Sequence, residues 1–361
     1  MIKKNTFLLF AAVLVLASAC GHPVRTLFVG TYSDGFYAYE FDEATGTVVS
    51  EGAFPEAPGA YAKAPMPNPS YLSVDGNRVY AVSEMPDSSA ALFTWRFGGN
   101  GFELLSAVPT EGEDPCYVST DGDLVAVANY SGGSLALFKV LWEGTSPVDS
   151  LVISGTGGGD LSRQATPHVH CAVFTPDGKH LLFSEFSSDE IGMLDRYPGG
   201  VRNYRRGAVL DPDYGPRHMI FDASGKHLYI IGELSGTITV FDYASGTLTR
   251  RQVVKADRVD ARGAADIHLS PDGKYLYASL RLENDGIVIF SVAHDGTLSE
   301  AGYQRTGTHP RHFNITPDGR WLLCCCRDGN AVEIYRRDAD TGLLQDTGGR
   351  IRLERPVCVT W

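Results

Sequence analysis

The chain is 361 residues long, 43% hydrophobic and 20% charged, with a formal net charge of −12. That acidic balance, with no basic run past the first few residues, excludes nucleic acid as an expected partner. Beyond the N-terminal leader no stretch reaches the roughly 18 consecutive apolar residues of a spanning helix.

Residues 1–20 read as a targeting segment. Lys3 and Lys4 supply a positive start, Phe7 to Leu16 an apolar stretch, and Ala17-Ser18-Ala19 a small-residue cleavage site. Cys20 follows immediately, which resembles a bacterial lipobox, although Ala17 stands at the usual leucine position and Leu16 lies one place further back. The expectation is a lipidated Cys20 at the mature N-terminus, with soluble export as the second reading. The protein is then extracytoplasmic, in the periplasm or on the outer membrane, and touches membrane only through that lipid. The net charge falls to about −14 once Lys3 and Lys4 are gone.

Residues 21–361 are expected to form one domain, because a repeat array of this length closes as a unit. The segment Thr26-Leu-Phe-Val-Gly-Thr-Tyr-Ser-Asp-Gly-Phe-Tyr-Ala-Tyr-Glu-Phe-Asp reads as two strands. A strand-turn-strand phrase then recurs six times, around Asp75-Gly, Asp121-Gly, Asp177-Gly, Ser224-Gly, Asp272-Gly and Asp318-Gly, at intervals of roughly 46 to 56 residues. Each copy carries β-branched and aromatic runs on both sides of its turn, which is a hairpin signal. Third strands such as Ser134-Leu-Ala-Leu-Phe and Thr237-Ile-Thr-Val-Phe follow, then weaker outer strands. Four strands per copy make a propeller blade. The C-terminal Pro356-Val-Cys-Val-Thr-Trp supplies the inner strand that the N-terminal remnant lacks, so pairing the two ends closes a seven-bladed, all-β, antiparallel propeller without raw edges. No segment carries helical periodicity.

The interval from Asp121 to Asp177 is lengthened by an insertion between Leu141 and Gln164 containing the glycine run 155–159. Without a strand-to-helix context it reads as a flexible linker, with a rim loop as the second reading. Cys116, Cys171, Cys324, Cys325, Cys326 and Cys358 show no C-x-x-C spacing and no Cys/His quartet, so neither disulfides nor structural zinc are expected.

Equivalent inner-strand positions of all blades surround one channel. There the chain reads Pro69-Ser-Tyr, Pro115-Cys-Tyr, Val169-His-Cys, Pro216-Arg-His, Asp266-Ile-His and Pro310-Arg-His, too polar for a sealed core. Eight or nine residues past each turn a second ring reads Glu84, Asn129, Glu185, Glu233, Arg281 and Arg327. Carboxylates, arginines and imidazoles around a concave mouth could supply a base, anion clamps and proton donors. Read singly, each of these charges is a solvated strand end. His22, His180, His227, His294 and His309 read as surface residues.

The phrases Phe28-Val-Gly-Thr-Tyr, Asn68-Pro-Ser-Tyr-Leu, Val127-Ala-Asn-Tyr, Pro167-His-Val-His-Cys, Gly215-Pro-Arg-His, Glu233-Leu-Ser-Gly-Thr-Ile-Thr-Val, Ile267-His-Leu-Ser-Pro-Asp-Gly and Pro310-Arg-His-Phe, in that order, resemble the seven-bladed propeller lactonase family, which includes 6-phosphogluconolactonases and carboxymuconate-lactonizing enzymes. The resemblance implies chemistry at His168 or His170, Arg217, Glu233 and Arg281. Two departures from the family pattern are Ser-Leu-Arg at 279–281 and Cys324-Cys-Cys-Arg. Lactone hydrolysis would use Glu233 as general base, Arg217 for the oxyanion, and Arg281 with Arg311 and His312 for a substrate phosphate or carboxylate. A purely structural Glu233–Arg217 ion pair is the rival reading. On a strand, His168 and His170 would face the same side. His218, His268, Asn129 and Tyr130 are expected to line the channel and contact substrate. No cofactor and no metal is expected, and the partner is a small-molecule lactone. A lactonizing activity on the same residues and a non-catalytic binding propeller are the alternatives.

Overall fold

A computed structural model of the chain describes residues 24–52, 54–153 and 159–361. The leader, Cys20 and His22 lie outside the described residues, as do 154–158 of the glycine run. All regular structure among the described residues is strand, and no helix there is long and apolar enough to cross a membrane.

Seven antiparallel sheets follow one another. Blades 1 to 6 begin with the inner strands Pro69–Asp75, Pro115–Thr120, Val169–Phe174, Pro216–Phe221, Ala264–Leu269 and Pro310–Ile315, and each adds three strands outward. Blade 7 has Pro356–Thr360 innermost, paired with Val24–Thr31 and then Gly35–Asp42. The two chain ends thus close the ring as the sequence predicts. The outermost position of blade 7 is divided between Thr47–Val48 and Ala62–Pro65, both paired to Gly35–Asp42, because the chain leaves the sheet between them.

The recurring turn has a local cause. Its glycine sits at positive φ in all six copies, from 58° at Gly76 to 92° at Gly122, where a side chain would be strained. In the Thr/Ser-Pro-Asp-Gly copies the Asp oxygen accepts the Thr175, Ser270 or Thr316 hydroxyl, each at 2.6 Å, and then the amide two residues on. Packing between blades follows the alternation. Seven buried apolar clusters fill the seams, for example Phe28, Phe36, Leu72, Val79 and Trp95 between blades 7 and 1. Outer strands such as Thr247–Lys255 face solvent on alternate residues. All six described cysteines are buried and free, and Cys324 to Cys326 serve as core side chains.

Candidate active site

Two features repeated in all seven blades build the channel mouth. First, the inner strand is bulged near its start, leaving Ser70, Cys116, His170, Arg217, Ala265, Arg311 and Val357 without a direct partner in the ladder. A bulge re-aims the extra side chain, which is how polar residues leave the sheet plane here. Second, the residue just past the second strand donates its amide to the carbonyl of the residue before the inner strand. These donors are Tyr32, Glu84, Tyr130, Phe186, Glu233, Arg281 and Arg327.

This second ring corrects the sequence reading at two places. The true spacing is nine residues past the turn, so Tyr130 and Phe186 hold the positions assigned to Asn129 and Glu185. A one-residue slip along a strand sends a side chain to the other face. Asn129 is accordingly buried, donating to Ser134 Oγ at 3.0 Å and to the Thr110 carbonyl at 3.3 Å. Glu185 accepts the amides of His168, Ser187 and Ser188 and shapes a turn. Arg327 pairs with Asp328 beside His309.

A cavity of about 200 Å³ opens where the two rings meet, lined by Glu84, Tyr130, Glu233, Arg281, Cys116, His170, Arg311 and Arg163. Glu233 carries three guanidiniums. Its Oε2 lies 3.0 Å from Arg217 Nε and 3.0 Å from Arg281 Nη2, and its Oε1 accepts from Arg163 Nη2 at 2.8 Å. The Arg217 contact is an ion pair whose Nε–H is not aimed at the oxygen, so that buried donor lacks a hydrogen bond. Arg217 Nη1 donates instead to the Ala265 carbonyl. Burial pushes the Glu233 carboxyl up, but Arg281, Arg217 and Arg163 outweigh it and hold its pKa at about 2. Burial lowers Arg281 to about 10 against the pull of Glu233, leaving it cationic at neutral pH.

On the opposite wall Glu84 accepts the Tyr32 hydroxyl at 2.6 Å and faces Arg311 Nη2 at 3.4 Å, with the Arg311 guanidinium over the Tyr32 ring. The Cys116 thiol is pushed well up by burial and stays protonated, which removes it as a nucleophile. A larger hollow of about 560 Å³ between blades 1 and 2 is lined by Asp87, Glu111 and Glu113 and contains none of these cations. The chemistry therefore marks the smaller cavity as the site.

The two histidines of Pro-His-Val-His separate. His170 is the bulged residue and lines the cavity; burial, then Arg217, depress its pKa well below the usual value, so the imidazole is neutral at pH 7. His168 precedes the strand Val169–Phe174, and the bulge breaks the alternation that would have put both on one face. His168 stacks on Tyr130 at 4.3 Å and donates or accepts at Thr166, with its Nδ1 2.9 Å from the Tyr130 carbonyl.

His218, His268 and His312 do not line this cavity. They surround Asp266, deeper along the axis, with His218 Nδ1 at 2.7 Å, His268 Nε2 at 3.1 Å and His312 Nε2 at 3.6 Å from its carboxylate. The amides of Ile267 and Phe313 add two further donors. The donor atoms of Asp266, His268 and His312 lie close enough to suggest a metal. However, the Val359 amide donates to His312 Nδ1 at 3.2 Å, which puts the ring proton on Nε2, the nitrogen a metal would need. Burial raises the Asp266 carboxyl, but the surrounding imidazoles outweigh it and keep it ionised. His218 and His268 also line a second cavity of about 210 Å³ with Tyr71 and Tyr117.

Arg163, Tyr32 and Asp266 were not assigned from sequence. Asp266 occupies a position that the bulge would have exposed, whereas Tyr32 has no preceding turn to count from, because the inner strand of its blade lies at the other end of the chain. Arg163 belongs to no repeat; its one signal is membership of the insertion. His180 and His309, read as surface residues, are both buried: His180 Nδ1 lies 2.8 Å from the Tyr243 hydroxyl, and His309 packs against Arg281 and Arg327.

With this geometry in hand, comparison with known proteins decides the family. The pattern of the family described as "Lactonase, 7-bladed beta-propeller" matches residues 26–361. The chain belongs to the seven-bladed β-propeller lactonase family. It is similar to a 6-phosphogluconolactonase of Formosa agariphila, 32% identical over 88% of this chain and 94% of that one. Among solved structures it resembles a candidate 6-phosphogluconolactonase of Bacteroides uniformis, 47% identical with a TM-score of 0.87 over 93% of this chain and 98% of that one. It also resembles a periplasmic gluconolactonase of Pseudomonas aeruginosa, 28% identical with a TM-score of 0.84 over 94% and 99% of the two chains. The chain is thus a 6-phosphogluconolactonase-like propeller lactonase.

Proposed function

We propose that the protein hydrolyses an anionic sugar lactone in the cavity beneath Glu233. The carrying observation is a fixed carboxylate sharing one small cavity with a neutral imidazole and several guanidiniums. Four arginines against two glutamates leave the mouth net positive, which suits a lactone bearing phosphate or carboxylate. Glu233 takes a proton from water as the water oxygen bonds the lactone carbonyl carbon, and the carbonyl electron pair moves onto oxygen. Arg281 and Arg217 stabilise that oxyanion from positions anchored by backbone carbonyls. Collapse breaks the ring C–O bond, and the proton held by Glu233 returns to the departing alkoxide. His170, uncharged, orients the water or ring oxygen, while Arg311 holds the substrate anion.

The test is acid release from glucono-δ-lactone and its 6-phosphate, corrected for spontaneous opening. Glu233→Gln is expected to lower kcat by about 100-fold or more. Turnover equal to that of the unmodified protein would remove Glu233 as the base. Residues 1–20 are proposed to export the chain and leave lipidated Cys20 as its membrane contact, and the domain 21–361 to work outside the cytoplasm.

A further inference from the structure

Seven of the eight residues lining the cavity come from the two repeated rings. Arg163 alone does not; it enters from the insertion between blades 2 and 3. Its side chain is 40% exposed, against 8% for Arg281 and 1% for Arg217, the other two guanidiniums on Glu233. Those two are also tied to backbone: Arg281 Nε donates to the Gly263 carbonyl at 2.9 Å, and Arg217 Nη1 to that of Ala265. Among the described residues Arg163 is held only by side chains: by Glu233, by the Tyr130 hydroxyl and by the face of Phe186, 5.3 Å from the ring centroid.

The backbone on either side of Arg163 is locked. Asp160 Oδ2 pairs with Arg262 Nη2 at 2.7 Å, and Arg262 also grips Asp213. Gln164, fully buried, donates at 2.8 Å both to the Phe186 carbonyl and to Asp189 Oδ1. The strap of residues 160–164 is therefore held at both ends, while the Arg163 side chain, the most exposed of the three, can exchange partners.

The division of labour on Glu233 is also uneven. Oε2 is occupied by the two anchored arginines, whereas Oε1, the oxygen left to face a water, is occupied by Arg163. A carboxylate neutralised by three cations is a poor proton acceptor, and withdrawing one of them restores basicity. A negative group entering the mouth competes for that same guanidinium.

We infer that Arg163 is a substrate-exchanged cap: the anionic group of the lactone draws its guanidinium off Glu233 Oε1, and the vacated oxygen then receives the proton of the attacking water. Binding energy from a remote part of the substrate is thereby spent on the reacting centre. The inference rests on the hydrolytic reading above and makes the enzyme selective for charged lactones through its base.

The experiment compares unmodified protein with Arg163→Gln on glucono-δ-lactone and on its 6-phosphate. The expected result is opposite in sign for the two substrates. Loss of a charge-assisted contact lowers kcat/KM for the phosphorylated lactone about 10-fold or more. Permanent uncapping raises kcat for the neutral lactone about threefold. A parallel fall on both substrates overturns the cap, as does a fall on the phosphorylated one without a rise on the neutral one. A second arm separates this from failure of the hydrolytic reading. Calorimetric binding of 6-phosphogluconate and gluconate needs no turnover, and Arg163→Gln should reduce the preference for the phosphorylated ligand, leaving what Arg311 contributes. An undiminished preference would overturn the assignment even in a protein silent on every lactone.

Discussion

His309 gives the sharpest test of the electrostatics around the mouth. Its pKa is depressed from 6.5 to about 3, chiefly by burial, then by Arg281 and Arg327, with Asp328 opposing and Arg311 adding. The contacts are close: Nε2 lies 3.5 Å from Arg281 Nη1, and Nδ1 lies 3.3 Å from Arg327 Nη2 and 3.4 Å from Asp328 Oδ2. The folded protein therefore holds a neutral imidazole that the unfolded chain protonates below pH 6.5. Stability from this group is complete above the unfolded value and is lost progressively as pH falls toward the folded one. At about 1.4 kcal/mol per pH unit, His309 alone costs roughly 2 kcal/mol between pH 6.5 and 5.

His309→Asn isolates that contribution. The residue sits at φ 61°, in the left-handed region, where asparagine is the best tolerated of the polar, non-titrating replacements. Urea unfolding at pH 7.5 and pH 5.0 should show the unmodified protein losing about 2 kcal/mol more than the variant over that interval. Every other titrating group is common to both and drops out of the comparison. Equal losses in the two proteins would mean that the imidazole titrates normally in the fold, and the account of a cationic, water-poor mouth would be wrong.

Two further outcomes are expected. At the closing seam a Cβ on Gly30 would come 2.5 Å from the Pro69 carbonyl oxygen of the next blade, so Gly30→Ala should cost about 1–3 kcal/mol in the same urea assay; no change would show that the seam carries little of the stability. If Cys20 is lipidated, the protein should fractionate with membranes and Cys20→Ser should release it; a variant that remains in the membrane fraction would refute the anchor.

The fold was legible because its signal is local and repeated. A Thr/Ser-Pro-Asp-Gly turn satisfies its own hydrogen bonds, so the residue types recur in three of the six turns, and six glycine-centred turns with flanking strands leave one architecture. The site was legible as a set of residue types and only partly as positions. Polar strand starts pointed to the channel, but the bulge that turns them inward leaves no mark in composition. It divides adjacent residues between two places: Arg217 and Arg311 reach the mouth, while His218 and His312 turn to Asp266. Accepting eight or nine residues as one spacing favoured the polar neighbours Asn129 and Glu185 over Tyr130 and Phe186. Arg163 was hidden for the opposite reason, because an insertion has no other copies against which its position can be read.

The assembly around Glu233 argues for function on energetic grounds. The carboxylate and Arg217 belong to one blade, Arg281 to the next, and Arg163 to the strap ahead of blade 3, so ring closure and the insertion both act on a single side chain. Desolvating such charges costs several kcal/mol each, and apolar side chains of similar volume often stabilise a core as well or better. The propeller has abundant apolar packing at every seam and no structural need for a buried cluster of this kind. Arg217 even leaves its buried Nε–H without a hydrogen bond, a cost that packing alone would not select. Arg217 and Arg281 thus hold their charges beside the cavity before any substrate enters, which is the preorganisation that a developing oxyanion needs.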